Sequence, residues 1–237
     1  MAAPAIRAIL FDKDGTLFDF HKTWMPGYRA IAAEVAQGDA ALTARLLAAT
    51  GLDPESGELD PASALAAGSN AEIAALWSAV VHHGDAETLT QRLDAWFGAP
   101  GAVMPVPVTD LAVLFGRLRD RGLRLGIATM DSHAAALRSV DEYALGVHLD
   151  FIAGYDSGHG EKPGPGMVTA FCRSIGIAAP HVAVVGDTPH DMGMARAAGA
   201  GLAIGVLTGA SPRYGLEALA DRVIDSIADL ERALGFV

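Results

Sequence analysis

The chain has 237 residues, of which 51% are hydrophobic, so it is long enough for one domain with an insertion or for two small domains. Its 28 acidic residues outnumber its 17 basic residues and give a net charge of −11, which argues against binding to the phosphate backbone of nucleic acid. The mean hydropathy of +0.30 is high, yet no uninterrupted apolar run reaches the ~18 residues that a membrane-spanning helix needs.

The N-terminal segment has no basic start, and it reaches Asp12 and Lys13 before the apolar core of a secretory signal could form. We therefore expect a cytoplasmic protein without a signal peptide. Cys172 is the single cysteine, which excludes an internal disulfide.

An apolar segment at residues 6–11 favours a strand buried on both faces of a parallel sheet. Asp12 and Asp14 follow it, and their side chains can point the same way before Gly15 allows a sharp turn. Two carboxylates this close indicate either ligands for a hard cation such as Mg²⁺, or an ionised nucleophile beside a protonated acid. The sequence therefore predicts a reactive site at the carboxyl end of this strand.

Residues 27–98 favour helices throughout, and Pro26 predicts an element boundary before them. The predicted helices cover residues 28–37, 40–49, 71–82 and 85–97. In the third of these, a core-facing stripe at helical spacing is expected to consist of Ile73, Leu76, Trp77 and Val80.

Residues 99–107 contain three prolines and predict a domain boundary. Thr109 or Asp110 is expected to cap the helix that follows. Its predicted apolar stripe consists of Leu111, Leu114, Phe115 and Leu118. Its three arginines, at positions 117, 119 and 121, are expected to interact favourably with the negative end of the helix dipole at the C-terminus and to form a solvated face.

From Leu123 onwards, strands and helices alternate as in a βαβ array. Strands are predicted at residues 123–128, 150–153, 181–185 and 201–205, helices at 132–143, 165–175 and 189–198, and a last strand and helix within 222–234. We therefore predict an α/β fold with a doubly wound, Rossmann-like parallel sheet.

Ligands of such sheets bind outside the carboxyl ends of the strands, where the strand order reverses. Asp12, Thr129 and Asp187 each follow a predicted strand. Thr188 and Asp191 also form a variant capping box at the start of a helix. Asp191 is therefore interpreted as a capping residue, as support for a metal site, or as both.

Lysine is rare, because only three of the 17 basic residues are lysines, at positions 13, 22 and 162. A chain that otherwise uses arginine is expected to keep lysine where a compact ammonium is wanted. This usage supports a functional role for Lys162 and gives weaker support for a functional role of Lys22.

Four elements together resemble the motifs of the haloacid dehalogenase (HAD) superfamily, most closely its phosphoglycolate phosphatases. They are Asp12-x-Asp14-Gly15-Thr16, Thr129, Glu161-Lys162-Pro163-Gly164 and the run from Gly186 to Asp191. The resemblance covers nearly the whole chain. It implies an α/β catalytic core of residues 1–20 and 101–237 with a central first strand, and a helical cap of residues 21–100 inserted over the site.

The resemblance also implies a Mg²⁺-dependent phosphatase of a small phosphorylated metabolite, either a phosphoglycolate-like acid or a sugar phosphate. Asp12 would attack phosphorus to form an aspartyl-phosphate, and Asp14 would act first as acid and then as base. Lys162 would neutralise phosphate oxygens and Asp12, while the Thr129 hydroxyl would orient them. The implied metal site consists of Asp12, Asp14 through its carbonyl, Asp187 and Asp191.

Substrate recognition is expected from residues beside these motifs. Lys13 and Met130 are adjacent to the implied catalytic residues. Phosphoglycolate phosphatases usually have a polar residue, often Asn, where this chain has Met130, so phosphate binding there would use backbone amides. The candidates for reading the leaving group are His21, Lys22 and Trp24 at the cap entrance and His159 before Lys162.

Two other functions stay open: a phosphomutase of the β-phosphoglucomutase type, and a non-catalytic protein that binds a phosphorylated metabolite. The Asp-Gly-Thr ending favours a phosphatase over the mutase, and Asp14 argues against a haloacid dehalogenase proper. The expected partner is a small phosphorylated metabolite, with no nucleic acid and no membrane, and the expected state is a monomer or homodimer.

Overall fold

A computed structural model describes residues 5–60, 63–81, 85–99 and 103–236. The chain forms two compact units, one of residues 1–20 and 106–237 and the other of residues 21–105. The predicted boundary between residues 100 and 101, and the predicted end of a helix at residue 82, lie outside the described residues.

The sheet belongs to the first unit. In chain order its strands are β1 (Ala8–Phe11), β2 (Arg124–Ala128), β3 (Phe151–Ala153), β4 (Val182–Gly186), β5 (Leu202–Val206) and β6 (Arg222–Ile224). Within the described ranges they form a single parallel sheet in the order β3-β2-β1-β4-β5-β6. The order reverses at β1, so the predicted doubly wound α/β fold with a central first strand is confirmed.

The α-helices are α1 (Phe20–Val35), α2 (Ala40–Ala49), α3 (Ala64–Ala67), α4 (Asn70–Val81), α5 (Ala86–Gly98), α6 (Leu111–Asp120), α7 (His133–Glu142), α8 (Gly166–Ile175), α9 (Pro189–Ala198), α10 (Arg213–Glu217) and α11 (Leu230–Ala233). The sequence does not predict the short helices α3 and α10, because four or five residues are too few to show a helical period. Among the described residues, none of these helices has the length and apolar character to cross a membrane.

Apolar side chains cover both faces of the sheet, because successive residues of a strand point to opposite sides. Ile9 and Phe11 of β1 pack with the buried stripe of α6, and the Phe11 ring stacks on Phe115 at 5.2 Å between centroids. Ala8 and Leu10 pack with residues of α8 and α9 on the other face. β1 is therefore buried on both sides, as its sequence predicts.

Helix α6 has the predicted N-cap, Asp110, whose Oδ1 accepts a hydrogen bond from the Val113 amide at 3.0 Å. Its arginines do more than form a solvated face. Arg117 and Arg121 both pair with Glu231, at 2.7 and 3.2 Å. These partners are distant in sequence, which explains why composition alone does not reveal them.

In the second unit, α1 runs through Pro26, so the predicted element boundary there is wrong. Proline lacks an amide donor and crowds the preceding turn, which normally ends a helix. Pro26 itself is exposed, but its neighbours Met25, Gly27 and Tyr28 are buried. Packing of these buried neighbours keeps the segment helical across the proline, because most helix stability in proteins comes from tertiary contacts.

The buried stripe of α4 also differs from its prediction. Ile73, Ala74 and Trp77 are buried, whereas Leu76 is 41% exposed. The indole N–H of Trp77 donates to the Leu46 carbonyl at 2.9 Å, which fixes the rotation of the helix about its axis. At about 100° per residue, this rotation turns Leu76 about a quarter-turn away from the centre of the stripe.

Truncation of two adjacent residues tests this orientation. We expect Trp77→Ala to cost about 3–5 kcal/mol of unfolding free energy, because it removes a fully buried ring and the hydrogen bond from its indole to the Leu46 carbonyl. Leu76→Ala is the matched control and should cost less than about 1 kcal/mol. Urea unfolding of both variants measures the difference. Equal losses of unfolding free energy would show that α4 does not bury Trp77 in preference to Leu76.

Candidate active site

The loop after β1 carries the first two carboxylates. Asp12 follows the strand directly, and its amide donates to the Val185 carbonyl at 2.8 Å. Gly15 has φ +85°, a conformation that favours glycine, and its amide donates to the Phe18 carbonyl at 2.7 Å. The chain therefore turns sharply after Asp14, as the sequence predicts, and keeps both carboxylates near the sheet edge.

Lys162 bridges two carboxylates at this edge. Its Nζ donates to Asp12 Oδ1 at 2.6 Å and to Asp191 Oδ1 at 2.6 Å. All three side chains are buried. The ammonium offsets part of the negative charge of the two carboxylates, which lowers the cost of keeping these groups away from water.

Asp191 also closes the predicted capping box at the start of α9. The amide and hydroxyl of Thr188 donate to Asp191 Oδ2 at 3.1 and 2.7 Å, and the Asp191 amide donates to the Thr188 hydroxyl at 3.3 Å. The two carboxylate oxygens are therefore divided, with Oδ2 bound to the cap and Oδ1 to Lys162. The capping role is confirmed, and it coexists with a position in the site.

Asp187 follows β4 and is the third buried carboxylate. Its Oδ2 accepts a hydrogen bond from the Ala210 amide at 3.2 Å. Its Oδ1 is buried and has no hydrogen-bond partner among the described residues. A buried carboxylate oxygen without a donor is costly, which is consistent with a site for a further group at this oxygen.

The pKa shifts of the buried groups reflect an excess of negative charge in this cluster. Burial raises the pKa of Asp12 to about 7, although Lys162 opposes the shift. Burial, followed by the charges of Asp12 and Asp191, raises the pKa of Asp187 well above its ordinary value. Burial alone would lower the pKa of Lys162, but the two carboxylates outweigh it and raise that pKa. One ammonium does not balance three carboxylates.

The donor set fits a hard divalent cation. Asp12, Asp187 and Asp191 each offer an oxygen, and these oxygens lie within 4.8 Å of one another. Oxygen-only ligands are what Mg²⁺ prefers. Together with the unpartnered Asp187 Oδ1, this geometry is consistent with the predicted metal site. The Asp14 side chain is not in this group, and the resemblance implies that Asp14 binds the metal through its backbone carbonyl only.

Lys13 pairs with Asp14 Oδ2 at 2.5 Å and with Asp131 Oδ2 at 3.4 Å, and its Nζ lies 5.8 Å from the Phe18 ring centroid. Burial would lower the pKa of Lys13, but Asp14 and Asp131 raise it overall. In this structure the ammonium, predicted to bind substrate, is bound to two carboxylates. The side chain of Asp14 is thereby held at a defined position.

Thr129 follows β2 and is buried. Its amide donates to the Ala153 carbonyl at 2.9 Å, and its hydroxyl oxygen accepts from the Asp131 amide at 3.0 Å. The Met130 side chain between them is 44% exposed. Thr129 therefore lies at the same sheet edge as Asp12 and Asp187, as the sequence predicts, while Met130 faces outward.

The remaining predicted substrate residues are His159 in the first unit and three residues of the second unit. His159 is exposed, and its ring stacks on Phe151, the first residue of β3, at 5.9 Å. His21, Lys22 and Trp24 belong to the second unit, where the Trp24 ring lies 6.3 Å from that of Tyr28.

Sequence reasoning missed two parts of the site. Asp131 provides the second partner of Lys13, and the segment after β5 contains Gly209 and Ala210, which contact Asp187. The second part had a signal: Thr208 to Ser211 is a small, polar run after a parallel strand, at the edge where ligands bind. Asp131 had none, because its partner Lys13 comes from a distant loop.

Comparison with protein families gives a match over residues 6–199 to haloacid dehalogenase-like hydrolases. Phosphoglycolate phosphatase of Rhodospirillum rubrum is 30% identical, in an alignment that covers 97% of this chain and 91% of that protein. The probable phosphatase IndB of Dickeya dadantii is 36% identical, over 53% of this chain and 53% of that protein. The latter match therefore spans about half of its relative.

Solved structures show the same fold. A protein from Haemophilus somnus named as a predicted phosphoglycolate phosphatase has a TM-score of 0.73 at 14% identity, covering 98% of this chain and 99% of that one. A protein from Thermotoga maritima named as a candidate β-phosphoglucomutase has a TM-score of 0.69 at 17% identity, covering 98% and 100%. At such identities the likeness extends to the fold alone.

Proposed function

The chain belongs to the haloacid dehalogenase-like hydrolases, and on that premise we propose that it is a phosphatase that hydrolyses a small phosphorylated metabolite through an aspartyl-phosphate. The observation that carries the proposal is the contact of Lys162 with both Asp12 and Asp191, beside Asp187 at the same edge of the sheet. The proposed nucleophile, the proposed cation for phosphate and the proposed metal ligands thus occupy one small volume.

In the first half of the reaction, an Asp12 carboxylate oxygen attacks phosphorus and a new P–O bond forms. The ester P–O bond breaks, and its electron pair leaves with the alkoxide, which takes a proton from Asp14. Lys162 neutralises charge on Asp12 and on the phosphoryl oxygens. The Thr129 hydroxyl helps to orient those oxygens.

In the second half, a water molecule attacks phosphorus while Asp14 accepts its proton. The bond between phosphorus and Asp12 breaks, and the carboxylate of Asp12 is restored. The contact of Lys13 with Asp14 and Asp131 supports this role, because a general acid and base must keep its position through both halves.

Asp12, Asp187 and Asp191 would hold Mg²⁺, with the carbonyl of Asp14 as a further ligand. When bound, Mg²⁺ would supply positive charge that offsets the charge of the phosphoryl group and of the three carboxylates. The unpartnered Asp187 Oδ1 supports the assignment. A cation bound to this buried oxygen would compensate for the hydrogen-bond donor that it lacks among the described residues.

We assign the second unit, residues 21–105, the role of a cap that excludes water and recognises the leaving group. His21, Lys22 and Trp24 are the proposed recognition residues, and phosphoglycolate-like acids and sugar phosphates are the proposed substrates. The 30% sequence identity to a phosphoglycolate phosphatase, over 97% of this chain, supports phosphoglycolate-like acids as the substrate class.

A screen of phosphorylated metabolites tests the proposal. With Mg²⁺ present, we expect release of inorganic phosphate from short phosphorylated acids or sugar phosphates and negligible release from a phosphopeptide. Chelation of the cation should abolish the release. Transfer of the phosphoryl group to a second sugar hydroxyl instead of water would indicate the mutase. Binding of these metabolites without turnover would indicate the non-catalytic alternative.

A further inference from the structure

The segment after β5 contacts the site but has no role in the chemistry described above. We infer that Thr208, Gly209 and Ala210, here named the β5 brace, are positioning residues that hold Asp187 in the orientation a bound divalent cation requires. The inference rests on the proposed function, because it assumes that Asp187 is a cation ligand. It is carried by three separate contacts of the brace.

The first contact is steric. Gly209 lies so close to Asp187 that a Cβ atom at position 209 would overlap Oδ2, Cγ and Cβ of that side chain. Gly15 makes a similar approach, and a Cβ there would overlap the same carboxylate and meet the Gly209 backbone. The Asp187 carboxylate therefore lies against two glycine backbones, which restrict its rotation.

The second contact is a hydrogen bond that distinguishes the two oxygens of the carboxylate. The Ala210 amide donates to Asp187 Oδ2 at 3.2 Å, whereas Oδ1 has no donor among the described residues. One oxygen is thus bound to the brace, and the other is available to a cation. Fixed ligand orientation of this kind strengthens metal binding, because less has to be ordered when the ion arrives.

The third contact ties the brace to the loop that carries the nucleophile. The hydroxyl of Thr208 donates to the Gly15 carbonyl at 2.7 Å, and the carbonyl of Thr208 accepts from the Phe20 amide at 3.1 Å. The loop after β1 and the ligand after β4 are therefore fixed to the same segment. A change in the brace should move Asp187 relative to Asp12.

Gly209→Ala tests the steric contact. We expect about tenfold or greater loss of affinity for Mn²⁺, measured by electron paramagnetic resonance, and for Mg²⁺, measured by calorimetry. Gly116→Ala is the matched control, because a Cβ at that position of α6 meets nothing closer than 3.9 Å. It should bind both ions as the wild type does. Raising the Mg²⁺ concentration should restore part of the activity of Gly209→Ala.

A second variant covers the case in which Gly209→Ala does not fold. Thr208→Val keeps the shape of the side chain but removes the hydrogen bond to Gly15, and a threefold or greater loss of Mn²⁺ affinity is expected. A smaller loss, in a variant with wild-type circular dichroism and melting temperature, would overturn the inference. Binding of Mn²⁺ by a folded Gly209→Ala as tightly as by Gly116→Ala would overturn it as well.

Cation binding by the wild type distinguishes a failure of this inference from a failure of the proposed function. If the wild type binds neither Mn²⁺ nor Mg²⁺, the cation site itself is wrong. If the wild type binds them and Asp187→Asn does not, but the brace variants bind normally, only the inference fails.

Discussion

Asp12→Asn is expected to abolish phosphate release, with a loss of at least ~10³-fold in kcat, while the fold stays intact. The amide keeps the volume of the side chain but cannot form the phosphoenzyme. The fold should tolerate the change because burial raises the pKa of Asp12, and because the negative charge of Asp12 repels those of Asp187 and Asp191. A neutral amide at this position removes that repulsion. Lys162 also keeps its second partner, Asp191.

The measurement is phosphate release on the best substrate, with circular dichroism and thermal unfolding of the same samples. Asp141→Asn is the matched control, because Asp141 is an exposed residue of α7. It should keep wild-type turnover. Activity of Asp12→Asn within tenfold of the wild type would rule out the covalent mechanism.

Lys162→Arg is expected to lower kcat/KM by more than tenfold, which corresponds to about 1.4 kcal/mol of transition-state stabilisation. The Nζ atom lies 2.6 Å from both Asp12 Oδ1 and Asp191 Oδ1, and the side chain is 2% exposed. A planar guanidinium is larger and presents its donors as a fork, so it cannot reproduce two contacts made by one nitrogen.

The reverse exchange on the surface is the control. Arg232→Lys alters an exposed arginine that pairs with Asp229, three residues before it, and should leave kcat/KM unchanged. A loss of less than tenfold in Lys162→Arg would show that the site needs only a positive charge at position 162 and not a compact one.

The positions of the main site residues could be predicted because they depend on a general property of parallel sheets. Asp12, Thr129 and Asp187 each follow an apolar run, and parallel strands bring their carboxyl ends to one edge. The capping box of Thr188 and Asp191 was equally accessible, because both partners lie within one turn of a helix.

Contacts between distant segments could not be predicted in this way. The pairing of Lys13 with Asp131 and the contact of Gly209 with Asp187 join loops that follow different strands. No local pattern marks such a pair. Only the assembled sheet determines which loops become neighbours.

Two errors came from local rules that packing outweighed. Pro26 normally indicates a helix boundary, but the buried residues around it keep α1 continuous. Leu76 fits a helical apolar period, but the hydrogen bond of Trp77 to Leu46 sets a rotation that exposes it. For α4 the deciding contact is with Leu46, which lies outside the local sequence window.

The central position of β1 has a consequence for how the chain acquires its site during synthesis. Ala8 pairs with Arg124 on one side and with Val182 on the other, so β1 is not flanked on both sides until β4 has been synthesised. Joining such distant segments costs loop-closure entropy, and early folding of the intervening unit would shorten the effective loop. The carboxylates at positions 12, 187 and 191 converge only after β4 has docked on β1, because Asp12 follows β1 and the other two follow β4. Cation affinity should therefore appear in one late step of folding, and a partly assembled chain would gain no stability from the ion.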